Sequence, residues 1–271
     1  MESDYLATIL NVQRWLLVGL WTVFGIWSLC RPAGSSWIRD GFAKVQVADR
    51  ARLDRALALR ERLEGAPTWL GRALGILSLA AAAVAANNRV AIDLLVAVVT
   101  LASAAFLAAA YSRLRKARGP RAASLKARIR SSVVPRSLFA TVTASVLCPL
   151  FFLDVSPFAA TVTAAASLSI VVLAWMIAGL PALVRGDDVA VESFVDDRLR
   201  HQRVAAMLQL ATTPSVFFFT LHLAAMYASP WRLSAFCFTA VASCVIPFLS
   251  GGFGPRGPSP DELRAWAGDA R

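Results

Sequence analysis

Three ionisable side chains, Asp93, Asp154 and His222, lie within or beside long apolar stretches of this 271-residue chain. They are its candidate catalytic residues, because an ionisable group among apolar residues is costly unless it has a function. Each also has a structural interpretation, which we favour. Asp93 follows Arg89 by four residues and can pair with it. Asp154 can cap the helix that follows it, and His222 can pack with a hydrogen-bonded ring.

The sequence predicts no metal and no cofactor. Its two histidines, His201 and His222, have no pair of carboxylates inside an apolar stretch to complete a metal site. The four cysteines form no CxxC pair. The last apolar stretch has no lysine for a retinal Schiff base, and no nucleotide-binding or hydrolase motif occurs. We therefore favour a protein that is not an enzyme.

The composition indicates a membrane protein, since 57% of the residues are apolar and only 17% are charged. Several apolar blocks reach the ~20 residues that cross ~30 Å of hydrocarbon. The sequence predicts an all-α, polytopic membrane bundle of about seven transmembrane helices in one domain, residues 1–250, with amphipathic connecting helices. The predicted spans are residues 12–30, 69–86, 91–111, 137–153, 158–184, 204–226 and 232–250, and residues 251–271 form a cytoplasmic tail.

A purely basic connection between the third and fourth predicted spans orients the bundle. Of all the Lys and Arg residues, only Arg14, Arg89 and Arg232 fall on the opposite side, so the positive-inside bias places the C-terminus in the cytoplasm and the N-terminus outside the plasma membrane. The same bias explains the net charge of +11 without nucleic acid. The connection is also expected to attract anionic lipid. Its candidate lipid-binding residues are Arg113, Arg115, Lys116, Arg118, Arg121, Lys126, Arg128 and Arg130.

Two other charged connections predict helices that are not spans. Residues 42–64 contain no Pro or Gly, and the pairs Arg50–Asp54 and Arg60–Glu64 have helical spacing. Residues 188–203 have one apolar face and predict a short amphipathic helix at the membrane surface.

The tail and the span interiors carry further local signals. Ser259 to Glu262 form a helix start after a stretch rich in Gly and Pro. Small residues around Ser167 and Ser169 in the fifth predicted span indicate close helix packing. Prolines can kink three spans, the fourth, sixth and seventh. These prolines are Pro149, Pro214 and Pro247.

Three functions stay open. The first is a permease-like or transport-associated protein for a small apolar or amphiphilic compound, which predicts a cavity open to one side. The second is a non-catalytic membrane partner or scaffold that docks a cytoplasmic protein through its connecting helices. The third is an intramembrane enzyme for a lipophilic substrate, which requires Asp93 or Asp154 to face a shared pocket. We rank them in this order.

The abundance of arginine and alanine is typical of a high-GC bacterial genome.

Overall fold

The computed structural model describes residues 2–30, 42–43, 45, 47, 49–64, 68–87, 95–105, 108, 136–180, 188–249 and 257–268. Within these ranges the chain is all-α and contains no strand, which confirms that part of the prediction. A 3₁₀ turn, Cys148–Phe152, follows the fifth helix. The helices are α1 (Glu2–Cys30), α2 (Arg50–Glu64), α3 (Thr68–Asn87), α4 (Leu95–Ala105), α5 (Arg136–Leu147), α6 (Pro157–Ala178), α7 (Val189–Leu221), α8 (Leu223–Tyr227), α9 (Pro230–Leu249) and α10 (Pro260–Gly268).

Two of these helices, α6 and α7, are long and apolar enough to cross a membrane. Shorter apolar stretches of 10–17 residues lie in α1, α3, α4 and α9, and in α5 with the turn that follows it. They coincide with the five other predicted spans. The number of helices that cross a membrane stays a prediction.

Helices α1 and α3 pack as an antiparallel pair whose backbones approach at two glycines. A Cβ added at Gly25 would lie 2.7 Å from Leu79 Cγ and 3.0 Å from the Gly75 carbonyl oxygen. Glycine therefore permits this close crossing. Farther along the pair, Arg14 Nε donates to the Ala85 carbonyl at 2.7 Å, and a second nitrogen of Arg14 donates to the next carbonyl. The guanidinium thus satisfies carbonyls in the last turn of α3.

Helix α7 is a continuous helix of 33 residues. The prediction of a short surface helix at 188–203, separate from a span at 204–226, was wrong. No Gly or Pro interrupts residues 188–213, and the Asp188 carboxylate caps the helix by accepting from the Val191 amide at 3.2 Å. Helical geometry ends at His222, which separates α7 from α8.

The two halves of α7 belong to different parts of the structure. The C-terminal half, residues 204–221, packs with α5, α6 and α9. The N-terminal half, residues 189–203, packs with α2 and α10. The core around the C-terminal half includes Val142, Ile170, Ala174, Val204 and Leu208. The core around the N-terminal half includes Phe42, Leu53, Leu57, Phe194 and Trp266.

Helix α2 begins at Arg50, and not at residue 42 as the sequence predicted. Asp49 is the physical reason, because its carboxylate accepts from the Arg52 amide at 3.0 Å, as an N-terminal cap does. The predicted pair Arg50–Asp54 is present at 3.1 Å.

Among the three prolines expected to kink spans, Pro149 lies in the 3₁₀ turn after α5, while the other two lie inside α7 and α9.

Candidate functional site

The carboxylate of Asp154 forms a salt bridge with an arginine and does not cap a helix. Its carboxylate accepts from Arg232 Nη2, with 2.6 Å to Oδ1, and its side chain is 68% exposed. The hydrogen bonds from Arg232 lower the pKa of Asp154 below its usual range. The N-cap position of α6 belongs to Ser156, so the predicted capping role of Asp154 was wrong.

His222 has the contacts of a packed, hydrogen-bonded ring. Its Nδ1 lies 2.9 Å from the Phe218 carbonyl oxygen, and its ring stacks on Phe218 with 4.3 Å between centroids. Its edge also meets Phe152, whose ring lies 5.1 Å below the Arg232 guanidinium. His222 and Asp154 therefore lie at the same end of the bundle, connected through Phe152 and Arg232.

The remaining predicted site residues lie outside the described ranges. These residues are Asp93 and the basic residues between 113 and 130. Their roles as an ionisable candidate and as a lipid-binding segment stay predictions.

Helix α7 packs against both α6 and α9, and these three helices carry polar side chains among apolar ones. We call this group the core polar layer. Ser167, Thr212 and Ser215 are fully buried, and Gln209 and Ser243 are half-buried. None of the five is charged. The members of the core polar layer are Ser167 on α6, Gln209, Thr212 and Ser215 on α7, and Ser243 on α9.

Three members of the core polar layer form a closed hydrogen-bonded ring. Gln209 Nε2 donates to Ser243 Oγ at 3.1 Å, and Ser243 Oγ lies 3.2 Å from Thr212 Oγ1. Thr212 Oγ1 in turn donates to the Gln209 backbone carbonyl at 2.9 Å. Each hydroxyl has one hydrogen, so the ring uses both of them. The side-chain oxygen of Gln209 is left as a buried acceptor with no partner among the described residues.

Two buried hydroxyl groups resemble the side-chain oxygen of Gln209 in this respect. The Oγ atoms of Ser167 and Ser215 have no hydrogen-bond partner in the part of the chain that the structure describes. Ser167 lies midway between Ala160, which packs near Phe218, and Ala174, which packs near Leu208. Ser167 lies on α6, and Gln209 and Ser215 lie on α7, which packs against α6.

On the exposed side of α6, two hydroxyl groups donate hydrogen bonds to carbonyls of their own helix. Ser169 Oγ donates to the Ala165 carbonyl at 2.8 Å, and Thr161 Oγ1 donates to the Pro157 carbonyl at 2.8 Å. Both are exposed, and both hydroxyl donors are satisfied by their own helix. Ser167 on the buried side has no such bond among the described residues.

The N-terminal half of α7 carries a second polar group, which we call the buried ionic cluster. Arg60 Nη2 on α2 lies 2.8 Å from Asp196 Oδ1, and both side chains are almost completely buried. Arg200 pairs with Asp197 and donates to the Leu180 carbonyl beyond the end of α6. Charges in such a site need partners, because desolvation penalises them heavily. The cluster consists of Arg60, Glu192, Asp196, Asp197, Arg200 and Arg203.

The side chains that the structure describes include no group of three His, Cys, Asp or Glu placed to hold a metal ion. All four cysteines carry free thiols. What the arrangement offers chemically is hydrogen bonding to a neutral group in an apolar surrounding, at the core polar layer.

Sequence reasoning missed both polar groups, although each has a visible signal. Gln209, Thr212 and Ser215 follow one another at intervals of three inside an apolar stretch, which keeps them near one side of a helix. Glu192, Asp196 and Arg200 have a spacing of four. A search restricted to ionisable residues within apolar stretches passes over the first set, and treating residues 188–203 as a surface helix conceals the second.

The chain matches no known family model, no curated protein and no solved structure.

Proposed function

We propose that this chain is a multi-pass protein of the plasma membrane that binds a small, uncharged, amphiphilic compound in the core polar layer and passes it in a permease-like manner. In this proposal all seven apolar stretches cross the membrane. The N-terminus lies outside and the C-terminus in the cytoplasm, as the distribution of Lys and Arg favours. Reporter fusions at the two termini test this orientation.

The exposed surface of α1 supports a membrane environment. Leu16, Leu20, Val23 and Trp27 follow one face of this helix, and each is more than half exposed. A continuous apolar stripe of this kind is unfavourable in water and favourable against lipid tails. On α6, Trp175 and two neighbouring apolar residues form a similar exposed patch.

The observation that carries the proposed function is a set of buried polar atoms that have no hydrogen-bond partner among the described residues. A buried polar group without a hydrogen bond costs about 1–3 kcal/mol, and three such atoms occur in the core polar layer. A ligand that donates to the Gln209 side-chain oxygen and bonds the hydroxyls of Ser167 and Ser215 would remove this cost.

The chemistry of the layer selects for a neutral ligand. Each member is an amide or a hydroxyl, so a charged ligand would be buried there without a countercharge, which is strongly unfavourable. Hydroxyl and amide groups on an otherwise apolar compound fit the layer, since they both donate and accept.

The two other functions have less support in the described residues. The apolar faces of α2 and of residues 189–203 pack inside the chain, so they are not available as an exposed stripe for a cytoplasmic protein. For an enzyme, Asp154 would have to face a substrate, whereas its carboxylate is exposed and hydrogen-bonded to Arg232.

The binding site is tested with two matched double variants, purified in lipid nanodiscs from the native host. Ser167→Ala with Ser243→Ala removes two hydroxyls of the core polar layer. Ser169→Ala with Ser234→Ala removes two exposed hydroxyls from the same helices, α6 and α9. Small molecules that copurify are extracted with organic solvent and quantified by mass spectrometry relative to protein.

We expect a neutral compound at a constant ratio to the wild-type chain and to the exposed-site variant, and at least a tenfold lower ratio in the core-layer variant. Equal amounts of every compound in all three preparations would show that the core polar layer is not a binding site.

A further inference from the structure

The C-terminal helix α10 is fixed by one aromatic side chain. Trp266 is almost completely buried, and its ring meets the edge of Phe194 on α7 with 5.4 Å between centroids and 81° between planes. Phe42 contacts Phe194 from another direction. The surface that receives α10 is therefore aromatic at its centre. We call it the docking surface and define it by Phe42, Arg52, Phe194 and Arg198.

Two arginines of the docking surface recognise polar groups of α10. Arg198 donates to the Glu262 carboxylate at 3.1 Å and to the Gly257 carbonyl at 3.2 Å, while its guanidinium lies 5.0 Å from the Phe194 ring. Arg52 donates to the Trp266 carbonyl at 2.9 Å. Cations near the last carbonyls of a helix are favourable, as is an acid in its first turn.

The pattern that the surface recognises is thus a glutamate one turn before a tryptophan, within a short helix. In α10 the glutamate also completes a capping box, because the Ser259 amide donates to Glu262 at 2.6 Å and the Glu262 amide lies 3.3 Å from Ser259 Oγ. The helix is therefore ready to form as soon as it meets the docking surface.

Three features favour a docking that can be reversed. First, α10 has nine residues, and a helix of that length is not stable alone in water. Second, the buried indole Nε1 of Trp266 has no hydrogen-bond partner among the described residues, which lowers the gain from docking. Third, the chain between α9 and α10 is rich in Gly and Pro, a composition of linkers.

We propose that α10 is a releasable latch, and that the docking surface is a peptide-binding site for short helices with a glutamate one turn before a tryptophan. The occupant is the C-terminal segment of this chain. Because the latch holds the N-terminal half of α7, its release frees the end of the same helix that carries most of the core polar layer. The proposal rests on the contacts of α10 and stands whether or not the core polar layer binds a compound.

The test is the binding of a fluorescent peptide to the full chain in nanodiscs. The peptide has the sequence of residues 257–268 and carries the dye at its C-terminus. It is titrated against the wild-type chain and against two variants that weaken the latch, Trp266→Ala and Glu262→Lys. The second variant keeps the tryptophan and reverses the charge that faces Arg198. A peptide with the Trp266→Ala change is the control ligand.

We expect both variants to bind the peptide at least ten times more tightly than the wild-type chain does, because the tethered latch competes at an effective concentration in the millimolar range. The control peptide should bind none of the three chains. Equal affinity for all three chains, or no binding to either variant, would overturn the proposal.

Hydrogen exchange of residues 189–203 completes the test. If both variants lost protection throughout this segment, α10 would be an integral part of the fold, and the latch would be disproved. Protection close to that of the wild-type chain in either variant, together with tight peptide binding, supports it.

Discussion

The two halves of α7 are packed around different kinds of buried polar group, charged in one half and neutral in the other. In the N-terminal half, charged side chains are buried and meet opposite charges, as Asp196 meets Arg60 at 2.8 Å. In the C-terminal half, neutral polar atoms are buried and some have no partner among the described residues, as at Ser167 and Ser215. One helix therefore has buried ion pairs along its N-terminal half and buried neutral polar groups along its C-terminal half.

Magnitudes explain why the difference is informative. An unpaired buried charge costs several kcal/mol, so keeping a charged group vacant for a ligand would use a large part of the stability of a domain. An unpaired hydroxyl costs about 1–3 kcal/mol, which a domain with a net stability of about 5–15 kcal/mol can tolerate. A site that waits for a ligand in an apolar surrounding is therefore best built from neutral groups.

The largest effect is expected at the buried ionic cluster. Asp196→Ala leaves Arg60 without the carboxylate it meets at 2.8 Å, and removing one partner of a buried ion pair costs about 3–5 kcal/mol. Asp54→Ala is the control, because Asp54 pairs with Arg50 on the exposed side of α2. Its loss should cost about 0.5 kcal/mol or less. Reversible unfolding in mixed micelles measures both.

Equal losses in the free energy of unfolding for Asp196→Ala and Asp54→Ala would contradict the special role given to the N-terminal half of α7. The buried ionic cluster would then have no greater role in stability than a solvated surface pair.

A smaller and opposite effect is expected at the core polar layer. Ser167→Ala removes a hydroxyl that has no partner in the described ranges. The free energy of unfolding should therefore stay unchanged or rise by up to about 1 kcal/mol, since the penalty of burying the group disappears. Ser169→Ala on the same helix is the control and should change stability by less than about 0.5 kcal/mol. A loss of stability in Ser167→Ala beyond that of the control would indicate that the hydroxyl has a structural partner.

The parts of the fold that the sequence predicted are those that depend on local patterns. Apolar blocks indicated the bounds of α3 and α9 closely, and the cap at Ser259 placed the start of α10. Local patterns also predicted the Arg50–Asp54 pair. Each of these depends only on residues within a few positions of one another, so no tertiary information was needed.

The failures depend on contacts between distant parts of the chain. Residues 188–203 have the pattern of a surface helix, but α2 and α10 cover them, and their acids face arginines such as Arg60. The core polar layer depends on the packing of α7 against α6 and against α9. Spacing along a single helix cannot show that Ser243 contacts Gln209, which lies on another helix.

The smallest effect is expected from pH, at the junction of α2 and α7. Burial raises the pKa of Asp188, but hydrogen bonds from Arg52 and from the Val191 amide outweigh it, so the pKa lies below its usual range. A lowered pKa in the folded state stabilises the protein above the unfolded value, about 3.9, and this stabilisation is lost as the pH falls through the folded value. Because the group is partly exposed to solvent, the effect should be about 1 kcal/mol or less.

Asp188→Asn measures how much the Asp188 charge contributes to the free energy of unfolding, since asparagine keeps the capping geometry of α7 and removes the charge. The wild-type chain should unfold with a higher free energy than the variant at pH 6, and the difference should shrink below about pH 4. The difference between the wild-type chain and Ser167→Ala should stay constant over the same range, because the layer around Ser167 contains only amides and hydroxyls. If both differences changed with pH in the same way, the contrast between a charged half and a neutral half of α7 would not describe how this helix is stabilised.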